Sequence, residues 1–109
     1  MARLNFITLE KLMEMKENDD DFTLVEVLSE DMYEDWHIPG AVNIPASEIE
    51  ERAEEELNKD EVIVVYCANY HCEASTKAGR ALTDMGFEYV LDFKAGKEAW
   101  EEAELEQES

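Results

Sequence analysis

The apolar residues of this chain fall into two alternating spacings, which predict its elements. Short runs with β-branched or alternating apolar residues predict strands at 4–7, 22–27, 42–44, 62–65 and 87–91. Apolar residues three or four positions apart predict helices that follow Thr8, Ser29 and Ser47, or begin at Ala74 and Lys97. Because strands and helices alternate, we expect an α/β fold: a small parallel sheet of about five strands, flanked by helices on both faces.

Residue types at the element ends refine these boundaries. Thr8 is a good N-cap, and residues 47–50 (Ser-Glu-Ile-Glu) match a capping box, which places a helix start directly after Ser47. Gly86 is expected to end the helix that begins at Ala74. Residues 107–109 are expected to fray.

Apolar side chains at helical spacing mark the inner faces of the other helices. In the first helix, these side chains are Leu9, Leu12 and Met13. In the helix after Ser47, they are Ile49, Ala53 and Leu57. The last helix is expected to run from Lys97 to about residue 105, anchored by Trp100.

The most informative stretch is residues 61–85. Residues 62–65 are four consecutive β-branched residues, typical of a strand buried on both faces. A short loop beginning with Cys67 separates them from the helix that starts at Ala74. Sites in open α/β sheets lie at the carboxyl ends of strands, so Cys67 is a candidate nucleophile. We expect N–H groups of the loop and first helical turn to favour its thiolate.

Two motifs resemble those of the rhodanese family. Tyr66-Cys67, the loop, the following helix and a Gly-x3-Trp sequence ending at Trp100 are similar to the second half of a rhodanese domain. Upstream, residues 37–45 (HIPGAVNIP) resemble the other motif of that family. The resemblance covers about residues 5–102. It implies a single rhodanese-like domain over residues 1–109, with a short C-terminal tail at 103–109.

The resemblance implies a sulfurtransferase in which Cys67 is catalytic. The thiolate attacks the outer sulfur of a donor, holds it as a persulfide stabilised by loop N–H groups, and passes it to a thiophilic acceptor. The remaining loop residues are then the substrate-binding segment. They are Ala68, Asn69, Tyr70, His71, Cys72 and Glu73.

This loop departs from the common pattern of the family. It is longer by about two residues, and no Arg or Lys lies between Cys67 and Thr76. Thiosulfate should therefore find little attraction beyond N–H groups and Lys77, and a less charged or protein-bound donor should react better. Longer loops occur in related dual-specificity phosphatases. Those enzymes need an arginine to grip phosphate, and Glu73 stands in that place, which disfavours phosphatase activity.

Other polar residues of the motifs have open or structural roles. Cys72 is either a helix-start residue or a resolving thiol for Cys67, and His71 is either a proton donor or an exposed bystander. Cys67, His71 and Cys72 lack the CxxC spacing of zinc sites, so we expect no metal, and no cofactor. His37 is expected to be a fold determinant. Glu26-Val27-Leu28 stands where the family usually has Asp-Val-Arg, which removes an ion pair near the site.

Charge and length narrow the possible partners. The 109 residues carry a net charge of −20 and only three arginines, which disfavours nucleic acid and anionic membranes. We expect a small sulfur donor or a protein persulfide or thiol partner, and a monomer or weak homodimer. No signal sequence or long apolar run is visible, and two cysteines make no secreted disulfide framework. A cytoplasmic location is expected.

Three hypotheses follow from the sequence. The first is a sulfurtransferase with a persulfide on Cys67. The second is a non-catalytic rhodanese-like sulfur carrier or binding module. The third is a redox switch that uses Cys67 and Cys72.

Overall fold

Five parallel strands form the centre of the structure, a computed structural model that describes residues 4–109. The strands are β1 (Asn5–Phe6), β2 (Phe22–Glu26), β3 (Val42–Asn43), β4 (Val62–Tyr66) and β5 (Tyr89–Phe93). Their order in the sheet is β1-β5-β4-β2-β3, and every pair is parallel. The predicted α/β class and five-stranded parallel sheet are confirmed.

Four helices connect the strands in the described range, and a fifth follows β5. They are α1 (Leu9–Glu17), α2 (Glu30–Asp35), α3 (Ile49–Glu56), α4 (Ala74–Asp84) and α5 (Gly96–Glu102). The Thr8 hydroxyl accepts the Lys11 N–H at 3.1 Å at the start of α1, as its N-cap position predicts. Gly86 follows the last residues of α4 with φ +101°, a conformation that glycine adopts without strain. None of the helices in the described range is long and apolar enough to cross a membrane.

The sheet separates two apolar clusters, one on each face. The first contains Val25, Val27, Ile44, Ile49, Ala53, Leu57, Ile63, Val65, Cys67, Ala78, Leu82, Phe87 and Val90. The second contains Leu12, Met15, Leu24, Ile38, Ala41, Val64, Tyr66, Phe93 and Trp100. Successive β4 residues alternate between the clusters, because side chains of a strand point to opposite faces. This arrangement buries β4 on both sides and confirms the interpretation of its β-branched run.

Three predicted element boundaries are wrong. The last helix ends at Glu102 rather than at about residue 105. The capping box does not form. A 3-10 turn at Ala46–Glu48 precedes α3, which begins at Ile49 without a side-chain cap. β5 begins at Tyr89 rather than at residue 87, since Phe87 is buried in the turn after α4 and its N–H donates to the Leu82 carbonyl at 3.1 Å.

The inner face of α1 is as expected: Leu9 and Met13 pack, partly buried, against the cluster that contains Leu12, and Met15 joins them. One expectation for the end of the chain fails. Residues 107–109 do not fray as a unit. Glu108 exchanges two backbone hydrogen bonds with His37, at 2.8 and 2.9 Å, and its carboxylate accepts the Gly40 N–H at 2.9 Å. His37 also stacks on Tyr33 with 3.8 Å between ring centroids, so its role is structural, as expected.

Candidate active site

Cys67 is the first residue after β4, at the carboxyl end of a central strand. Its carbonyl accepts the Lys97 N–H at 2.9 Å, and the Ala68 carbonyl accepts the Glu98 N–H at 2.8 Å. The loop is therefore tied to the first turn of α5. Gly96 permits this contact: it has φ +66°, and a Cβ there would overlap the Cys67 carbonyl oxygen and lie 3.0 Å from the Ala68 carbonyl carbon.

The Cys67 sulfur is fully buried, with 0% of the residue exposed. It lies 3.4 Å from the Cys72 carbonyl oxygen and 3.5 Å from the Ser75 hydroxyl. Burial raises the pKa of the Cys67 thiol, and its hydrogen bond with the Cys72 thiol raises it further, although the Ser75 hydroxyl and N–H act in the opposite direction. The expectation that the loop favours a Cys67 thiolate is therefore wrong in this conformation.

Asn69 explains why the loop N–H groups do not serve Cys67. Its side-chain oxygen accepts the N–H groups of His71 and Cys72, at 3.0 and 3.1 Å. An Asn side chain that caps its own loop in this way fixes an Asx-type turn. The two N–H groups are consequently directed at Asn69 rather than at a sulfur.

Cys72 is the thiol that the surrounding groups favour as an anion. It is partly exposed. Burial acts to raise its pKa, but the Cys67 thiol, the N–H groups of Ala68 and Ala74 and the Lys94 charge together lower the pKa of Cys72. The two cysteines thus differ in accessibility and in acidity.

Lys94 is a site residue that the sequence did not indicate. It directly follows β5, and its ammonium group donates to the Cys72 carbonyl at 2.8 Å and lies 5.8 Å from the Tyr70 ring centroid. β5 pairs with β4 in parallel register, so Lys94 and Cys67 lie at the same edge of the sheet. Lys77, the cation that the sequence suggested, is exposed on α4 and lines a different groove with Glu50 and Arg80.

The remaining loop side chains face solvent. Tyr70 is 67% exposed, and His71 and Glu73 are exposed as well. His71 enters the hydrogen-bond pattern through its backbone. Within residues 4–109, no group of three or more His, Cys, Asp and Glu side chains is arranged to hold a metal ion.

A buried polar network lies on the opposite face of β4. Glu26 is fully buried; it pairs with the Lys97 ammonium at 3.0 Å and accepts the Tyr66 hydroxyl at 2.9 Å. The Tyr66 oxygen in turn accepts the Ile38 N–H at 3.2 Å. Lys97 also donates to the Met32 carbonyl at 2.9 Å. Leu28, at the usual Arg position, forms no ion pair, as expected, but Lys97 supplies a partner to Glu26 from a distant part of the chain.

A groove of about 370 Å³ adjoins the loop at Ala68. Most of its other lining side chains are acidic or aromatic; the full set is Asp31, Met32, Asp35, Trp36, Lys97, Glu98 and Glu101. The Lys97 charge is compensated by Glu26. The surface next to the loop is consequently unfavourable for a small dianion.

A sequence model described as the rhodanese-like domain matches residues 8–103. The chain belongs to the rhodanese-like domain family. This confirms the resemblance drawn from the Cys67 loop and the HIPGA motif.

Two of the relatives have names that refer to sulfur transfer or carriage. The Bacillus subtilis protein YrkF, named as a candidate sulfur carrier, is 33% identical over 94 residues, which are 86% of this chain and 49% of YrkF. The thiosulfate sulfurtransferase GlpE of Coxiella burnetii is 30% identical over 80 residues, 73% of this chain and 72% of GlpE. This rhodanese-like chain thus spans about half the length of YrkF.

Solved structures match the rhodanese-like fold along most of the chain. The rhodanese-like domain of the Anabaena sp. protein Alr3790 superposes with a TM-score of 0.86 at 31% identity. The match covers 94% of this chain and 77% of that chain.

Proposed function

We propose that this rhodanese-like domain is a sulfurtransferase that moves sulfane sulfur through a persulfide on Cys67 to a thiophilic acceptor. The observation that carries the proposal is the position of Cys67, at the carboxyl end of central strand β4 and beside a second thiol and Lys94. The similarity to GlpE, a thiosulfate sulfurtransferase by name, supports the same activity.

The chemistry needs one nucleophilic sulfur and a protected place for the product. A cysteine thiolate attacks the outer sulfur of a donor persulfide; the new S–S bond forms as the donor S–S bond breaks, and the donor thiolate leaves with the electron pair. An acceptor thiolate then removes the outer sulfur by the same reaction. The apolar surroundings of Cys67 exclude water, and the Ser75 hydroxyl and N–H are available to a charged outer sulfur.

The electrostatics favour a donor other than thiosulfate. The loop itself has no cationic side chain, the adjoining groove is acidic, and the whole chain carries a net charge of −20. Lys94 is the nearby cation, and its ammonium group already donates to the Cys72 carbonyl. We expect weak turnover with thiosulfate that improves as salt screens the repulsion, and faster reaction with a low-molecular-weight or protein-bound persulfide.

Intact-mass measurement tests the proposal. The protein is incubated with thiosulfate, polysulfide or a persulfide donor, and Cys67→Ser is treated in parallel. We expect the wild type to retain one added sulfur and Cys67→Ser to retain none at equilibrium. Stable sulfur on the variant, or none on the wild type with any donor, contradicts a persulfide on Cys67.

A sulfur carrier with little turnover is the second candidate, and two observations favour it. YrkF is named as a candidate sulfur carrier, and full burial of Cys67 suits storage more than rapid exchange. A thiosulfate:cyanide assay separates the two functions, because a carrier takes up sulfur stoichiometrically without multiple turnovers. A redox switch is the third candidate, favoured by the contact between the thiols, and predicts a Cys67–Cys72 disulfide after mild oxidation.

A further inference from the structure

We propose that Cys72 is the receiving thiol of this site: it takes the outer sulfur from the donor and hands it to Cys67. The inference rests on the proposed function, since it concerns how sulfur reaches the Cys67 persulfide. It assigns a catalytic role to Cys72, for which the sequence allowed two interpretations: a structural residue or a resolving thiol.

Access is the first reason. The Cys67 sulfur has no exposed surface and belongs to the apolar cluster under α3 and α4, so a donor cannot approach it along an S–S axis in this conformation. Cys72 lies five residues later on the same loop and is partly exposed. A donor from solvent therefore meets Cys72 first.

Charge is the second reason. A nucleophilic sulfur must be a thiolate, and its surroundings must stabilise the negative charge. The N–H groups of Ala68 and Ala74 and the Lys94 ammonium group act in this direction on Cys72. Burial is the largest influence on both thiols and acts to raise the pKa of each, but Cys67 has no cation among the groups that oppose it. The loop is thus arranged as an anion site around Cys72.

The loop geometry also brings the two thiols together. The Cys67 sulfur lies 3.4 Å from the Cys72 carbonyl oxygen, and each of the two thiols is among the groups that shift the pKa of the other. Asn69 holds the Cys72 backbone by accepting its N–H, and Lys94 holds its carbonyl at 2.8 Å. We expect the sulfurs to meet by rotation of the two side chains within this held loop.

The reaction balances in two steps. First, the Cys72 thiolate attacks the outer sulfur of a persulfide donor, R–S–SH; the donor S–S bond breaks, R–S⁻ leaves with the electron pair, and Cys72–S–SH remains. Second, Cys67 gives up its proton and attacks that outer sulfur as a thiolate, and the S–S bond of the Cys72 persulfide breaks. The proton passes to the departing Cys72 sulfur, which gives Cys67–S–SH and Cys72–SH. The sulfane sulfur changes position without any oxidant or reductant.

A competing reaction defines the alternative role of Cys72. If Cys67 attacks the inner sulfur of Cys72–S–SH instead, the products are a Cys67–Cys72 disulfide and hydrogen sulfide. In that case, Cys72 serves to release sulfur as hydrogen sulfide and is not a receiving thiol. The two outcomes differ in mass and in the protein thiol content.

Time-resolved trapping of a single turnover tests the inference. Wild type, Cys72→Ser and Cys67→Ser are mixed with a low-molecular-weight persulfide, quenched with excess alkylating reagent at increasing times, digested, and analysed by peptide mass spectrometry. Circular dichroism verifies that each variant is folded. In the wild type, added sulfur should appear on Cys72 before it accumulates on Cys67, a result that needs no variant.

The variants give reciprocal expectations. Cys72→Ser should slow the arrival of sulfur at Cys67 by at least about tenfold, because the remaining thiol is buried and protonated. Cys67→Ser should still load Cys72 and then lose the sulfur to solvent thiols without storing it.

Each contrary result has a distinct meaning. If Cys72→Ser loads Cys67 at the wild-type rate, the receiving role is overturned and the proposed function stands. If the wild type yields a disulfide and sulfide, the release role replaces it. If no donor loads either cysteine of the wild type, the proposed function and the inference both fail.

Discussion

Tyr66 and Cys67 are neighbours in the chain but lie in contrasting surroundings. The Tyr66 side of β4 holds a buried network of charged and polar groups, in which Glu26 contacts Lys97 at 3.0 Å and Tyr66 at 2.9 Å. On the Cys67 side, the sulfur lies among apolar side chains, and its polar contacts are 3.4 and 3.5 Å long. One strand thus separates a firmly bonded network from a loosely bonded thiol.

The Tyr66 side of β4 should therefore matter for stability, and the Cys67 side for reactivity. Removing one partner of a buried oxygen or nitrogen group lowers the free energy of unfolding by several kcal/mol. The Glu26 network should therefore contribute to the stability of the fold. Sulfur is a weak hydrogen-bonding group, so Cys67 and Cys72 can exchange partners at little cost. We therefore expect substitutions on the first side to change unfolding and substitutions on the second side to change thiol chemistry.

The largest effect should follow removal of the Lys97 charge. Lys97→Met leaves Glu26 buried without its cation and should lower the free energy of unfolding by about 3–5 kcal/mol in urea titrations. The backbone N–H that Lys97 donates to the Cys67 carbonyl is kept. The matched control is the double variant Lys97→Met with Glu26→Gln, which should recover part of the loss. Equal stability of Lys97→Met and wild type would remove the contrast between the two sides.

Gly96→Ala should break the junction between the two regions. The new methyl group would overlap the Cys67 carbonyl oxygen, and the residue would keep φ near +66°, so we expect a loss of about 2–3 kcal/mol from strain and overpacking.

Gly40→Ala is the matched control for this overlap. Gly40 has φ +87°, but the atom that an added Cβ would meet is the Lys16 ammonium nitrogen at 3.9 Å, so the cost should be about 1 kcal/mol from strain alone. A similar loss of unfolding free energy in the two variants would show that the Cys67 loop shifts at little cost to accommodate a methyl group at Gly96.

A smaller effect should follow removal of the Lys94 charge. Thiolate reacts and thiol does not, so alkylation of Cys72 slows as the pH falls through its pKa. Lys94→Met removes a charge that favours the thiolate, and the alkylation curve of the Cys72 peptide should move to higher pH by up to about one unit. Lys94→Arg, which keeps the charge, should move it less. An unchanged curve in Lys94→Met would mean that backbone N–H groups alone lower the pKa of Cys72.

The smallest effect should be at a surface ion pair. Arg52 on α3 contacts Glu56 at 2.6 Å and Glu48 at 3.2 Å, but these side chains are about a third to a half exposed. Arg52→Gln should cost about 0.5 kcal/mol in urea titrations at low salt, and the difference should shrink in concentrated salt. A loss comparable to that of Lys97→Met would show that burial does not set the value of a charge pair in this domain.

Local patterns in the sequence were sufficient for the central part of the fold. The β-branched run at 62–65 and Gly86 identified β4 and the end of α4, because burial on two faces and a left-handed turn restrict residue type directly. The position of Cys67 followed from the same boundary. The capping box failed because the chain after Pro45 tightens into a 3-10 turn, a competing arrangement that residue types alone do not exclude.

The site residues that were missed depend on contacts between distant parts of the chain. β5 was predicted two residues early, which left Lys94 well beyond the strand, whereas the observed register aligns Phe93 with Tyr66 and brings Lys94 level with Cys67. A rule that inspects the residue after every parallel strand would have found it. The receiving role proposed for Cys72 depends on how Asn69 folds the loop, which spacing does not reveal.

The order of the strands also bears on how the chain reaches its fold. β1 pairs with β5, which lies near the other end of the described chain, and all of the other pairings join strands separated by a helix or more. Parallel, non-local pairing of this kind slows folding, since loop closure must precede the gain from the sheet. During synthesis, the first strand must wait for almost the whole domain to emerge. Until β5 has emerged, the edge of β1 has no pairing partner. Chaperones or another unpaired strand can bind it in place of β5.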